Sequence, residues 1–165
     1  MTWNGTVHFD TGHFITAADW DTYINENMQH IYDASGTVVG KRIAVLPIYA
    51  PSDVVAVGTG VAYLPIPEEY NGYNIINAQM SVVGAATAGI LTSNVIRVRG
   101  TAIATVTTTP ITVDPNETSS YTAAVAGVVG TANDDMATGD FVRWDNTIAG
   151  TVAYGQFGIL TFQLP

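Results

Sequence analysis

Apolar residues recur along this chain with two different periods. Over 16–35 the spacing is helical: Trp20, Tyr23, Ile24, Met28 and Ile31 fall three and four residues apart, while Asp21, Asn25, Glu26 and Gln29 face elsewhere. Local signals at the ends agree. Thr16 can cap the first turn with Asp19 in the reciprocal position, Ile15 and Trp20 make a hydrophobic staple, and Gly36 is a natural stop. Asp19 and Asp21 sit at the positive end of the helix dipole and His30 toward the other end. The pattern predicts one α-helix preceded by a small-polar arm, Met1 to Phe14, with the stripe Trp20, Tyr23, Ile24, Met28 and Ile31 as an anchoring surface for a neighbour.

After Gly36 the period changes from 3.6 to 2, and Gly, Pro, Asn and Asp punctuate the chain at intervals that suit an antiparallel sandwich or barrel. Strands are predicted near 41–49, 54–63, 73–83, 94–99, 102–113, 121–129, 140–145 and 153–164, which is the complement of a jelly roll. In 73–83, Ile76, Ala78, Met80 and Val82 alternate with Asn77, Gln79 and Ser81, so the first set is expected to point inward. Ile96 and Val98 alternate with Arg97 and Arg99 in the same way. The segment from Phe157 to Leu164 is apolar almost throughout, as a central strand or an interface strand would be. Pro65, Pro67 and the Asn71-Gly72 pair mark a turn, and Thr131 to Asp140 reads as a long polar connection with room for one helical turn. The expected architecture is mainly β: a jelly-roll-like antiparallel β-sandwich over 37–165, preceded over 1–36 by the arm and the helix.

Composition narrows the function classes. Of 165 residues only 12% are charged against 47% hydrophobic, so the surface must be covered largely by Thr, Ser, Asn and Gly. That coat suits a protein surrounded by other subunits. A net charge of −9 with five basic residues excludes phosphate neutralisation as a design, so neither nucleic acid nor an anionic membrane is an expected partner. With no cysteine, thiolate metal sites and Cys nucleophiles are absent. No basic n-region with an apolar core precedes the helix, so no secretory signal is expected, and the apolar runs Val82 to Leu91 and Ala123 to Val129 are too short to span a bilayer.

Candidate chemistry is sparse. His8 and His13 are five apart in an extended region, which places them on opposite faces, and with His30 they read as surface or packing residues rather than zinc ligands. The nucleophile elbow, the P-loop and the dinucleotide fingerprint are missing. Asn133, Asp134, Asp135 and Asp140 form one acidic cluster and Asp114, Asn116 and Glu117 another; turn chemistry accounts for both better than calcium does. A carboxylate pair drawn from Glu68, Glu69 and Asp134 is the one route to glycoside hydrolysis. The expectation is a non-enzyme with no catalytic residue, metal or cofactor. Tyr63, Tyr70, Tyr73 and Trp144 are the aromatic candidates for stacking on a glycan, with core or interface packing as the plainer role.

Two stretches resemble bacteriophage virion proteins. Phe14-Ile15-Thr16-Ala17-Ala18-Asp19-Trp20-Asp21-Thr22-Tyr23-Ile24-Asn25-Glu26-Asn27 is similar to the ITAADLNTYVRDN type of segment near the start of many phage structural proteins. Leu64 to Asn74, Ile111 to Asp114 and Thr131 to Asp140 resemble the β domain of phage head-fibre, decoration and tail-fibre-like proteins. The resemblance implies a virion location and a capsid-decoration or head-fibre role. It implies partners among capsid, tail or neck proteins, and a homotrimer whose several arms add avidity. A tail-fibre or receptor-binding tip, or a carbohydrate-binding sandwich module reading host-surface glycan, is the alternative.

Overall fold

The computed structural model describes residues 41–165. The expected arm and helix, the anchoring set Trp20, Tyr23, Ile24, Met28 and Ile31, and the three histidines lie outside the described residues.

The unit Arg42–Pro165 is built from ten strands: β1 Arg42–Val54, β2 Gly58–Pro65, β3 Asn74–Gly84, β4 Ala88–Arg99, β5 Ala102–Thr105, β6 Thr107–Thr109, β7 Ile111–Val113, β8 Val128–Val129, β9 Phe141–Thr151 and β10 Tyr154–Gln163. Every pairing is antiparallel. One sheet has the order β1-β10-β3 and a second the order β2-β9-β4-β5, with β7 also pairing β4; β6 and β8 form a small third sheet. The chain is thus mainly β with several antiparallel sheets, and among the described residues a single 3-10 turn, Glu68–Tyr70, is the only helical element. It lies in the Pro-rich turn, where Gly72 takes the positive φ of 79° expected of the Asn-Gly pair. Thr131 to Asp140, read as a polar connection with room for a helical turn, pairs back on the chain: Asn74 bridges Asp135, and Gly72 N donates to Met136 O at 2.9 Å.

The two larger sheets share one core. Trp144 on β9, fully buried, reaches β10 at Gly158, where a Cβ would stand 2.7 Å from the indole. Only glycine admits that approach, so the small residue on one sheet and the largest on the other define the spacing between them. Around them pack Leu46, Met80, Val82, Leu91, Val95, Ile111, Val142, Leu160 and Phe162, each buried. Four links, 55–57, 66–73, 85–87 and 152–153, carry the chain from one sheet to the other. The last of these places Val152 at φ 58°, a strained conformation for a β-branched residue.

Four sequence expectations change. In β3, Ala78, Met80 and Val82 are buried as expected, but Ile76 is 42% exposed and Ile75 is buried in its place. Thr161 pairs with Asn77 and Phe162 with Ile75, so Ile76 is the extra residue of a bulge that resets which face points inward. In β4 Ile96 is buried as expected, at 6% exposed, but it lies beside Arg143, while Arg97 is the residue that pairs beside the core residue Val142. The arginines can face inward because Asp135 and Asp140 meet them at that end. The strand expected over 102–113 is broken into β5, β6 and β7, the last break falling at Pro110, which has no N–H to give a ladder. Of 121–129 only Val128–Val129 is strand. The rest is loop, because side chains satisfy its backbone: Asp114 accepts from Ala124 N at 2.8 Å and Ser119 Oγ from Tyr121 N at 3.1 Å.

Candidate interaction surface

The aromatic candidates separate once their surroundings are known. Trp144 has no exposed surface and Tyr73 is 7% exposed, so neither offers a ring face to a glycan; both are core residues, which corrects the stacking role considered for them. Tyr70 is half-buried, edge-on to Phe162 at 4.8 Å between ring centroids, and the Arg42 guanidinium lies 5.3 Å from its ring and 4.8 Å from that of Tyr73. The Tyr70 faces are therefore occupied by the chain's own groups. Tyr63 alone of the four is well exposed, at 50%, standing edge-on to Phe141 at 6.4 Å on the outer face of its sheet. Beside Tyr70 a small apolar cleft of about 140 Å³ opens between Ala44, Leu64, Pro65, Ile66 and Pro67.

The acidic clusters are committed to internal contacts. Asp140, its side chain 3% exposed, accepts from Arg99 Nε at 2.9 Å, Arg99 Nη2 at 2.7 Å and Ala137 N at 2.8 Å. Asp135 pairs with both Arg97 and Arg99. Asp114 caps Ala124 N, and Glu117 accepts from Thr122 Oγ1 at 2.7 Å. Glu68 and Glu69 stand exposed on the 3-10 turn, whereas Asp134 is 8% exposed. No group of three or more His, Cys, Asp or Glu positioned for a metal ion occurs among the described residues.

These ion pairs make stability depend on pH. Burial pushes the Asp140 carboxyl up, but hydrogen bonds from Arg99 and from Ala137 N, with the charges of Arg99 and Arg97, outweigh it and hold the group below its ordinary value. Asp135 is likewise raised by burial and lowered further by Arg99 and Arg97, for a net depression. A carboxylate depressed in the folded state stabilises fully above its unfolded pKa and loses that contribution as pH falls through the folded value. Unfolding free energy is therefore expected to drop as the solution is acidified from about pH 5 to about pH 2. Asp140→Asn should cost about 1–2 kcal/mol at neutral pH and show a shallower acid decline. Denaturant titrations of both proteins across that range check it, and parallel curves would reject it.

The outer face of the β1-β10-β3 sheet is the most unusual surface. Its three rows are Ile43, Thr161, Asn77; Val45, Ile159, Gln79; and Pro47, Phe157, Ser81. None of these positions carries a charge. The β1 side is apolar, with Ile43 66% and Val45 59% exposed, and the β3 side carries amides and a hydroxyl. Strand β1 pairs only with β10, so its other edge shows no strand partner among the described residues. Exposed apolar side chains running to an open strand edge are the features by which sheets recruit further chains. Phe157 and Ile159 were legible as interface candidates in the last strand; Ile43 and Val45 were not singled out, although Ile43-Ala44-Val45-Leu46 alternates with period 2.

No protein-family model matches the chain, no curated protein matches its sequence, and no solved structure matches its fold.

Proposed function

We propose that the chain is a structural protein of a bacteriophage virion, a capsid-decoration or head-fibre subunit that forms homotrimers through its β domain. The domain is read as a jelly-roll-like sandwich. Strand order supports this: the first strand pairs with the last and the second with the next to last, while β3 and β4 extend the same two sheets. Segment 1–36 is read as the anchor to capsid, tail or neck proteins, through the stripe Trp20, Tyr23, Ile24, Met28 and Ile31. The reading assigns no catalytic residue, metal or cofactor.

The observation that carries the assembly half is the charge-free, apolar β1–β10 side of the outer face of the β1-β10-β3 sheet, where Ile43, Val45 and Ile159 stand. A solitary protein with so few charges has little to keep such a face soluble, and interface cores are depleted in charged residues. A second copy of the chain fits it best, because a contact made without charged side chains brings no like charges together in a chain whose net charge is −9. Sedimentation velocity of the full chain at tens of micromolar is expected to give three times the 17.4 kDa of one chain. Val45→Asp combined with Ile159→Glu, both on the outer face, is expected to return folded monomers with the parent's far-ultraviolet circular dichroism and an unfolding midpoint that no longer rises with protein concentration. A wild-type monomer would sink the assembly reading. Absence of the chain from purified phage particles would sink the virion reading.

The second reading, a receptor-binding tip that takes host-surface glycan, is favoured by a cleft of about 220 Å³ lined chiefly by Asn77 and Gln79 of β3 and by Ser120, Tyr121 and Gly127.

A further inference from the structure

Beyond β7 the chain runs through a loop, 114–127, that covers the β3 edge not paired with β10. Ser119 bridges Ser81, Ser120 N donates to Met80 O at 2.8 Å, and Met80 N donates to Ser120 Oγ at 2.9 Å. Between this loop and the outer face of β3 lies a cleft of about 220 Å³, lined chiefly by Asn77, Gln79, Ser120, Tyr121 and Gly127. Three properties of it go together.

Tyr121 is 82% exposed, the most exposed large hydrophobic side chain among the described residues, although its backbone is fixed. Ser119 Oγ accepts from its N–H, and Glu117 holds Thr122 next to it. An aromatic ring kept in water on a tethered loop gains nothing for folding. Next, Asn77 and Gln79 project from β3 into the cleft, and neither amide has a hydrogen-bond partner among the described residues; each offers an acceptor oxygen and two donor hydrogens. Finally, apart from the Tyr121 phenol no ionisable side chain lines the cleft, in a chain whose net charge is −9.

We infer that this cleft binds a neutral saccharide, one pyranose ring stacked on Tyr121 with adjacent hydroxyls held by Asn77 and Gln79. A sugar ring has an apolar C–H face that matches the aromatic plane, and rim hydroxyls that both donate and accept, which a side-chain amide matches and a charged group does not. The negative field of the protein disfavours acidic sugars. The open cleft has room for a single ring, with the rest of a glycan running out to solvent. Loop 114–127 holds the Tyr121 backbone in place, so the loop itself need not be ordered on binding. The inference does not rest on trimerisation or on a virion location.

The test is an NMR titration of the isotope-labelled full chain with the methyl glycosides of glucose, galactose, mannose and N-acetylglucosamine. At least one is expected to give saturable shifts at Tyr121, Gly127 and the side-chain amides of Asn77 and Gln79. Tyr121→Ala is expected to weaken that binding about tenfold or more, and Tyr121→Phe, which keeps the ring, only about twofold. Because Tyr121 is exposed, the alanine variant should melt like the parent, which separates loss of binding from loss of fold. No saturable shift with any of the four glycosides, or shifts unaltered by Tyr121→Ala, would overturn the assignment. So would a Tyr121-dependent self-association with no sugar response, which would make the cleft a protein contact.

Discussion

Trp144→Ala is expected to lose about 3–5 kcal/mol, a cost comparable with the whole stability of many domains, about 5–15 kcal/mol. The indole is fully buried, its strand neighbours are Ala62 on β2 and Val95 on β4, and across the core its ring rests on Gly158. Removing it opens a cavity bridging both sheets, which the two backbones cannot close without giving up their ladders. The indole N–H finds no partner among the described residues, so Trp144→Phe should cost less than the alanine change, because it removes an unsatisfied donor along with some packing. Tyr63→Ala, on the neighbouring strand but 50% exposed, is the control and should cost no more than about 1 kcal/mol. Guanidinium unfolding with an unchanged slope measures all three. A loss below about 1 kcal/mol for Trp144→Ala would mean that the sheets do not meet as described.

The second large effect lies a few residues away, where a polar network is sealed inside the core. Asn146 on β9 accepts from Ser93 Oγ on β4 at 2.7 Å and from Gln156 Nε2 on β10 at 3.0 Å, and donates to Gln156 Oε1 at 2.7 Å and to Ala56 O at 3.2 Å. Gln156 Nε2 also donates to Met80 Sδ at 2.8 Å. Ser93, Asn146 and Gln156 are at most 2% exposed, so each hydrogen bond lost strands a group where water cannot replace it. Asn146→Leu should therefore cost about 2–4 kcal/mol, the penalty falling mainly on the orphaned Gln156 amide. Replacing both partners, Asn146→Leu with Gln156→Met, should cost less than the sum of the single changes, with a coupling of about 0.5–3 kcal/mol. Strictly additive losses would show that the network holds the sheets no better than separate contacts. The network links both sheets and the β1–β2 connection. We read its role as fixing how the sheets slide over one another.

Much of the fold was legible because a strand with one covered face must alternate. The expected strands near 41–49, 54–63, 73–83, 94–99, 140–145 and 153–164 all overlap observed ones, and β10 is the central strand its apolar run implied. The departures share a cause. Ile75 and Ile76 are equally apolar, and nothing local says that a bulge opposite Thr161 and Phe162 will bury the first and expose the second. Likewise Ile96 and Arg97 alternate identically whichever face is inside; the choice depends on Asp135 and Asp140, about forty positions downstream, which gives the guanidinium groups partners at the end of the core. Tyr121 was hidden because an apolar stretch of Ala and Val reads as a strand until the Asp, Ser and Glu side chains that cap its backbone are placed.

From the chain alone come its β character, the spacing of its turns, its lack of charge and cysteine, and the weakness of every catalytic constellation, since each of these is a local or compositional property. Tertiary structure alone decided which aromatics are walls of the core and which stand in water. It also decided that Ser93, Asn146 and Gln156 meet, and that one outer sheet face is free of charge. Those outcomes depend on contacts between residues tens of positions apart, and alternation says that a strand has two faces without saying what will lie against either.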